Sequence, residues 1–504
     1  MSGEVSASRT TTSLESLVMG QLDRRRFLTL GLAATGTVAS FGPGFWRRAY
    51  AADAVPGDGP YGSIADGAPD ANGIILPEGF TSRVVARAGE VLPGEQGYAW
   101  HTDPDGGAVF PTGDDGGWIY VSNQEERLLV GGGGVGAIRF DADGSIVDAY
   151  RILDGTYTNC AGGPTPWGTW LSCEEHPTGL VWECDPFGVD EAVPRPAMGA
   201  FFHEAAFVDD RPDQQRVYLT EDSNFDGRFY RFTPASYPDL SAGVLEAAVA
   251  SEPDGTGAIT WIEVDPVLAA PDARIKGAHS YVGAEGIWID TGLVYFTTKG
   301  DDTVWVYDPI TSTMDIVYRA ADFPGGADAA PLTGVDNIVF NDAGELYVAE
   351  DGGNMELVLI TPDRVVTPFL RIVGQDGSEI AGPAFDPSGT RLYFSSMRGT
   401  SGQFSADGIT YEISGPFNTT RAAPITTTTT TPAAAPTTTL AGLRQAATAG
   451  PGPSATLPAT GGGGASAPAL VALGAAAASV AARRRLAAEV SDGPEGPDVG
   501  AAPR

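Results

Sequence analysis

Six times along the chain a short apolar run with an aromatic residue at its centre ends in a charged or polar side chain: residues 118–125, 169–174, 217–221, 293–299, 345–350 and 392–398. The central aromatics, Tyr120, Trp170, Tyr218, Tyr295, Tyr347 and Tyr393, follow one another at intervals of 50, 48, 77, 52 and 46 residues. Units near that length, rich in Tyr, Gly and turn residues, are what four-stranded propeller blades look like in sequence. The spacing predicts an all-β fold, a six-bladed β-propeller, with an insertion between the third and fourth blades to account for the long interval. A ring of blades encloses a channel, and a channel can hold a site.

A second set of positions recurs roughly 10 to 19 residues before each aromatic: Trp100-His101-Thr102-Asp103, Asn159-Cys160, His203-Glu204, Glu285-Gly286, Asp336-Asn337 and Gly382-Pro383. That distance fits a hairpin of one strand out, a tight turn and one strand back. The start of the first strand and the end of the second then lie at the same end of the hairpin. Inner strands are therefore expected to begin near residues 101, 160, 204, 285, 336 and 382, with both sets of residues converging on one channel mouth. Gathered there would be Asp103, Glu125, Cys160, Glu174, Glu204, Glu221, Asp222, Glu285, Asp336 and Glu350. Ten acidic or thiol groups cannot share an opening without cations to neutralise them.

The expected metal ligands are Glu125, Cys160, Glu174, Glu204, Asp222, Glu285, Asp336 and Glu350. Glu174 and Glu175 are adjacent on a strand and must point to opposite faces; Glu174 is the one assigned to the channel. Glu221 and Asp222 pose the same choice, and Asp336-Asn337 could instead be a turn pair. A soft thiolate beside hard carboxylates suits two kinds of metal, a transition ion at the Cys and calcium among the oxygens. Four histidines, at 101, 176, 203 and 279, argue against a His-rich zinc site. There is no Gly-x-Ser-x-Gly elbow, and the glycine run 131–134 lacks the Lys of a phosphate-cradling loop.

The net charge of −34 and a chain whose only lysines are Lys276 and Lys299 exclude nucleic acid and anionic lipid as partners. Three cysteines, Cys160, Cys173 and Cys184, allow one disulfide, with Cys173–Cys184 nearest in sequence, and leave Cys160 over.

Asp23-Arg24-Arg25-Arg26-Phe27-Leu28, an apolar run to Phe41 and Ala49-Tyr50-Ala51 resemble a Tat signal over residues 1–51, making the Tat translocase a partner. That route exports proteins already folded, which suits a metal-loaded product. The propeller is expected over 52–417. Residues 418–456, dominated by Thr, Ala and Pro, read as a disordered linker. Residues 457–504 hold Leu457-Pro458-Ala459-Thr460-Gly461, an Ala-rich apolar run and Arg483-Arg484-Arg485. That order resembles a sortase sorting signal, with simple C-terminal membrane anchoring as the alternative, and a helix is expected over 466–486. Either arrangement would hold a monomeric propeller outside the cell, on cell wall or membrane.

The stretch 159–175, Asn-Cys-Ala-Gly-Gly-Pro-Thr-Pro-Trp-Gly-Thr-Trp-Leu-Ser-Cys-Glu-Glu, resembles the signature of PhoX-type alkaline phosphatases. Asn123-Gln124-Glu125, Phe202-His203-Glu204, Thr220-Glu221-Asp222 with Gly227-Arg228-Phe229-Tyr230-Arg231-Phe232, and the ending 408–417 extend the likeness over most of residues 74–417. The resemblance implies a centre of iron and calcium that hydrolyses phosphate esters, with Cys160 on iron and Glu174 and Glu204 among the carboxylates. Lys299 and Arg398 end their strands where the others place acids, and would be the catalytic cations that grip a substrate phosphate. Two other functions fit the carboxylate ring: a calcium-dependent lactonase or esterase propeller, whose metal-binding Glu is similar to Glu285, and a non-catalytic surface module with structural metals.

Overall fold

The computed structural model describes residues 54–421 apart from 114, 224 and 225. The predicted export signal over 1–51, the linker over 418–456 beyond residue 421, and the sorting signal over 457–504 with its helix lie outside the described residues. Among the described residues no helix is long and apolar enough to cross a membrane.

Each recurrent apolar run is the second strand of an antiparallel meander: Trp118–Gln124, Trp170–Glu174, Arg216–Glu221, Leu293–Thr298, Leu346–Glu350 and Arg391–Ser396. These strands are buried on both faces, which is why they read as continuous apolar runs instead of alternating ones. Their central aromatics pack between adjacent sheets and are almost wholly shielded from solvent. Before each lies an inner strand: I, Pro104–Pro111; II, Asn159–Pro164; III, His203–Asp209; IV, Ala284–Asp290; V, Val335–Phe340; VI, Ile380–Phe385. Their starts fall within three residues of the positions read from sequence. Inner strands sit against their neighbours in chain order, and strand VI lies against strand I. The architecture is all-β and propeller-like.

Two features explain why the sheets are not uniform. The 77-residue interval holds an extra strand, Gly257–Glu263, and a short helix, Ala269–Ile275. The extra strand pairs with Asp239–Ala250 on one side and with Thr313–Arg319 on the other, fusing two meanders into a nine-stranded sheet. The last meander, by contrast, has three strands of its own, and Thr81–Arg87 supplies the fourth by pairing with Ile409–Ser414. The two ends of the propeller region thus share one sheet, which removes an open edge. Arg83 and Arg391 both pair with the buried Glu412 on that final strand, and Tyr393 donates to it at 2.8 Å.

The three cysteines are free thiols. Cys173 lies opposite Val181 and Cys184 opposite Trp170, so the two fall on opposite faces of one sheet and pack in different apolar cores. A Cys173–Cys184 disulfide is excluded by that parity.

Candidate functional site

The ladder between inner and second strand is irregular near its start in all six meanders, between Pro104 and Gly107, Asn159 and Gly162, His203 and Ala206, Ala284 and Ile287, Val335 and Ile338, and Ala381 and Ala384. A bulge inserts a residue without a ladder partner and re-aims its side chain. In the first five meanders the residues so released include Asp105, Cys160, Glu204, Glu285 and Asp336. Small neighbours follow several of them because adjacent inner strands nearly touch: a Cβ on Gly106 would lie 2.4 Å from the Ala161 Cα, and one on Gly286 2.8 Å from the Asn337 Cα.

Hydrogen bonds from the second strand of one meander fix the bulge of the next. Asn123 Nδ2 donates to the Cys160 and Ala161 carbonyls, both at 2.8 Å. The Thr220 hydroxyl donates to the Glu285 carbonyl and the Thr297 hydroxyl to the Asp336 carbonyl, both at 2.6 Å.

The second strands contribute through the residue just past their last paired position: Glu125, Glu175, Asp222, Lys299 and Asp351. The paired residues themselves turn away. Glu174 accepts from the Tyr157 and Leu180 N–H groups, each at 3.1 Å, and from Trp182 Nε1 at 3.0 Å. Glu350 accepts from the N–H groups of Thr333 at 3.2 Å and Glu356 at 3.0 Å. Glu221 is taken up by the Tyr230 hydroxyl and by Arg274 of the inserted helix. Asp103, outside strand I, holds the Ser405 N–H. Against expectation, the structure thus turns Glu174 and Glu350 away from the acid cluster and brings Glu175 and Asp351 into it. A shift of one residue along a strand changes the face presented, and the turn geometry, not the composition, sets which one.

The groups brought together form four overlapping triads, in each of which one ligand atom per residue lies within 4.8 Å of the others: Asp105–Glu125–Cys160, Cys160–Glu175–Glu204, Glu204–Glu285–Asp336 and Asp336–Asp351–Glu379. Of the residues expected as ligands, Glu125, Cys160, Glu204, Glu285 and Asp336 are in this chain of triads. Asp222 stands beside it, its charge felt by Glu204 and Glu285. Asp105, Glu175, Asp351 and Glu379 were not chosen from sequence. For Glu175 and Asp351 the signal was the neighbouring acid; Asp105 and Glu379 lie just outside the repeat positions.

Among the described residues, three cationic side chains face this ring. Lys299 Nζ lies 3.1 Å from Glu285, 3.2 Å from Asp351 and 3.5 Å from Asp336. Arg398 pairs with Glu379 at 2.7 Å and Asp351 at 2.9 Å. Arg127, which the strand-end pattern did not flag, pairs with Glu125 and, at 2.7 Å, with Glu175. They leave the ring strongly under-neutralised. Burial pushes the carboxyls of Asp105, Glu175, Glu204, Glu285 and Glu379 well above the usual carboxylate range, and their mutual repulsion adds to it. Asp336 is raised to about 6 by burial, against the pull of Lys299. The Cys160 thiol is raised by burial and then by the charge of Asp105, to whose Oδ2 it donates at 3.5 Å.

Glu204 decides what the ring can hold. It is completely buried, and among the described residues neither carboxylate oxygen has a nitrogen or hydroxyl donor. One oxygen of Asp222 is equally bare. An unpaired buried carboxylate costs several kcal/mol. Ringed by further acids and a thiol, it fits bound cations and little else. His203, its neighbour, faces the other way, donating from Nε2 to the Gly199 carbonyl at 3.0 Å and packing on Phe201.

The model of the family described as alkaline phosphatase PhoX matches residues 122–181 and 176–397, more than half of the chain. The chain belongs to the PhoX alkaline phosphatase family. It is accordingly a phosphoric ester hydrolase, and the family's reliance on metal agrees with the donor set around Glu204. Among solved structures, Pseudomonas fluorescens PhoX in complex with vanadate, a transition state analogue, is similar in fold. It is 18% identical, with a TM-score of 0.60 over 72% of this chain and 97% of that one. A gluconolactonase from Xanthomonas campestris aligns at 13% identity and a TM-score of 0.39, over 62% of this chain and 86% of its own. No curated protein matches the chain.

Proposed function

We propose that the chain is an exported, metal-dependent phosphatase that hydrolyses phosphate esters at the end of the channel where the bulges lie. The observation that carries the reading is the bare, buried carboxylate of Glu204 among Cys160, Glu175, Glu285 and Asp336. The ring of inner strands, closed from VI to I, supports six blades, with the nine-stranded sheet counted as two blades bridged by the inserted strand.

Iron is proposed at Cys160 with Asp105, Glu125, Glu175 and Glu204, since the thiolate is the one soft donor of the ring. Calcium is proposed among Glu204, Glu285, Asp336, Asp351 and Glu379, an all-oxygen set. Bound there, the cations would bind phosphoryl oxygens, activate an attacking oxygen and stabilise the charge that develops. The chain's own residues do the rest. The bulges and the latches from Asn123, Thr220 and Thr297 fix the donor atoms before substrate arrives. Lys299 and Arg398 supply positive charge at the ring, and Arg127 adds a planar fork, its side chain 41% exposed and so open to an incoming phosphate. The thiol argues for this reading over the lactonase one, which makes no use of Cys160.

The N-terminal twin arginines and the C-terminal pentapeptide with its apolar run support export by Tat and attachment to the cell surface, by sortase or by a membrane anchor. The test is turnover of p-nitrophenyl phosphate by the full chain with iron and calcium supplied, together with metal analysis of the folded protein. Protein that binds neither metal and hydrolyses no phosphate ester refutes the proposal.

A further inference from the structure

Beside the acid ring stands an aromatic residue that none of the apolar cores uses. Phe404 is 36% exposed, in the loop before the last strand. The guanidinium carbons of Arg127 and Arg398 lie 5.3 and 5.1 Å from its ring centroid. Those arginines pair with opposite stretches of the ring, Arg127 with Glu125 and Glu175, Arg398 with Asp351 and Glu379. The ring of Phe404 therefore bridges the two guanidinium groups at the site.

The loop is fixed from beneath. Ser405 follows Phe404 in a left-handed backbone conformation, and its N–H donates to both oxygens of Asp103, at 3.0 and 2.7 Å. Its hydroxyl donates to Glu126, a nearly buried carboxylate whose same oxygen takes the N–H groups of Leu128 at 2.6 Å and Leu129 at 3.0 Å. One carboxylate thus ties the Phe404 loop to a turn carrying Leu128, Leu129 and Val130, which are 74%, 65% and 79% exposed. The hydroxyl of Tyr157 holds the Arg127 carbonyl at 2.9 Å. Past Lys299 the corresponding loop is Gly300, Asp301 and Asp302, with no apolar side chain. An apolar sector tied down by hydrogen bonds on one side of a charged site marks a place for an apolar ligand group.

We infer that Phe404, with the Leu128–Val130 turn beside it, is the leaving-group subsite of this centre, and that the preferred substrates are phosphate monoesters of aromatic or bulky apolar alcohols. The inference rests on the phosphatase reading. With the phosphoryl group held at the acid ring, the ester oxygen carries its substituent outward, where an aromatic group meets the Phe404 ring and a small polar alcohol gains no aromatic contact. Aromatic pairing and the loss of a matching apolar surface together make a tenfold preference a modest expectation.

The experiment compares kcat/KM for phenyl phosphate and for glycerol phosphate, using the full chain loaded with metal. Phe404→Ala is expected to lose about tenfold on phenyl phosphate and less than about twofold on glycerol phosphate, while Phe404→Tyr, which keeps the ring, retains the wild-type ratio. Equal losses on both esters would mean that Phe404 only holds the arginines, and would overturn the inference, as would no loss on either. A wild-type protein that turns over neither ester overturns the phosphatase reading and takes the inference with it. One that turns over both while the Ala variant fails to discriminate overturns the inference alone.

Discussion

Exchanging Glu174 and Glu175 one at a time separates a structural carboxylate from a proposed ligand. Glu174→Gln keeps the volume but replaces an acceptor-only group by one that must present an NH₂ to the Tyr157 N–H or to Leu180 and Trp182. At least one charge-assisted bond is lost and a donor is left facing a donor, a cost of about 3 kcal/mol. With unfolding entropy near ~2.1 cal/mol/K per residue over about 370 residues, that lowers Tm by about 4 °C. The effect depends on pH. Burial opposes the ionised form of Glu174, but bonds from His176, Trp182, Leu180 and Tyr157 win and hold its carboxyl below the usual range. A depressed folded pKa contributes stability above the unfolded value and loses it as pH falls through the folded one. The Tm gap between wild type and Glu174→Gln should be fully present at pH 7 and close below about pH 4. Glu175→Gln should behave in the opposite way, losing metal from the loaded protein while keeping most of its Tm when metal-free. Thermal unfolding by circular dichroism across pH and elemental analysis read both variants. A Glu174→Gln protein that loses metal and keeps its Tm would refute the face assignment.

Cys160→Ser should lose iron and ester hydrolysis yet keep its circular dichroism spectrum, because ring closure does not depend on that side chain; full iron content in the variant would remove the thiol from the site. Lys299→Met, which leaves Glu285, Asp336 and Asp351 without their cation, should cut kcat/KM by at least about tenfold with metal content retained; an unchanged kcat/KM would assign Lys299 to charge balance alone. Glu412→Gln should weaken ring closure by about 2 kcal/mol, since Arg83, Arg391 and Tyr393 all converge on that carboxylate. Arg83, Ser414 and Tyr393 hold the carboxyl of Glu412 low against its burial, so the loss should be seen above about pH 5 and fade on acidification in urea titrations; a deficit that grows with acid would contradict it.

The repeat was legible because blade strands buried on both faces must be apolar and must recur with the blade. That fixed the strands, the hairpins and the convergence of strand starts and strand ends. It also fixed Glu125, Cys160, Glu204, Glu285 and Asp336 as neighbours, and Lys299 and Arg398 among them. The long interval could be read as an insertion, though not that its strand would fuse two sheets.

What the sequence could not settle is phase. Each inner strand carries its bulge at the site, and the second strands leave the ladder there, so the last paired acid and the one just past it, Glu174 and Glu175 or Glu350 and Asp351, cannot be sorted by pattern alone. Nor could it reveal that Arg127, two residues past Glu125, turns back to pair with Glu175 of the next meander, or that Asp105 on strand I and Glu379 just before strand VI join the acid cluster at its two ends. Composition and spacing determined that a crowd of acids and one thiol would meet. Only the packing of the strands decided which members face the channel, which are spent on backbone N–H groups, and that Glu204 would stand buried with no nitrogen or hydroxyl donor among the described residues.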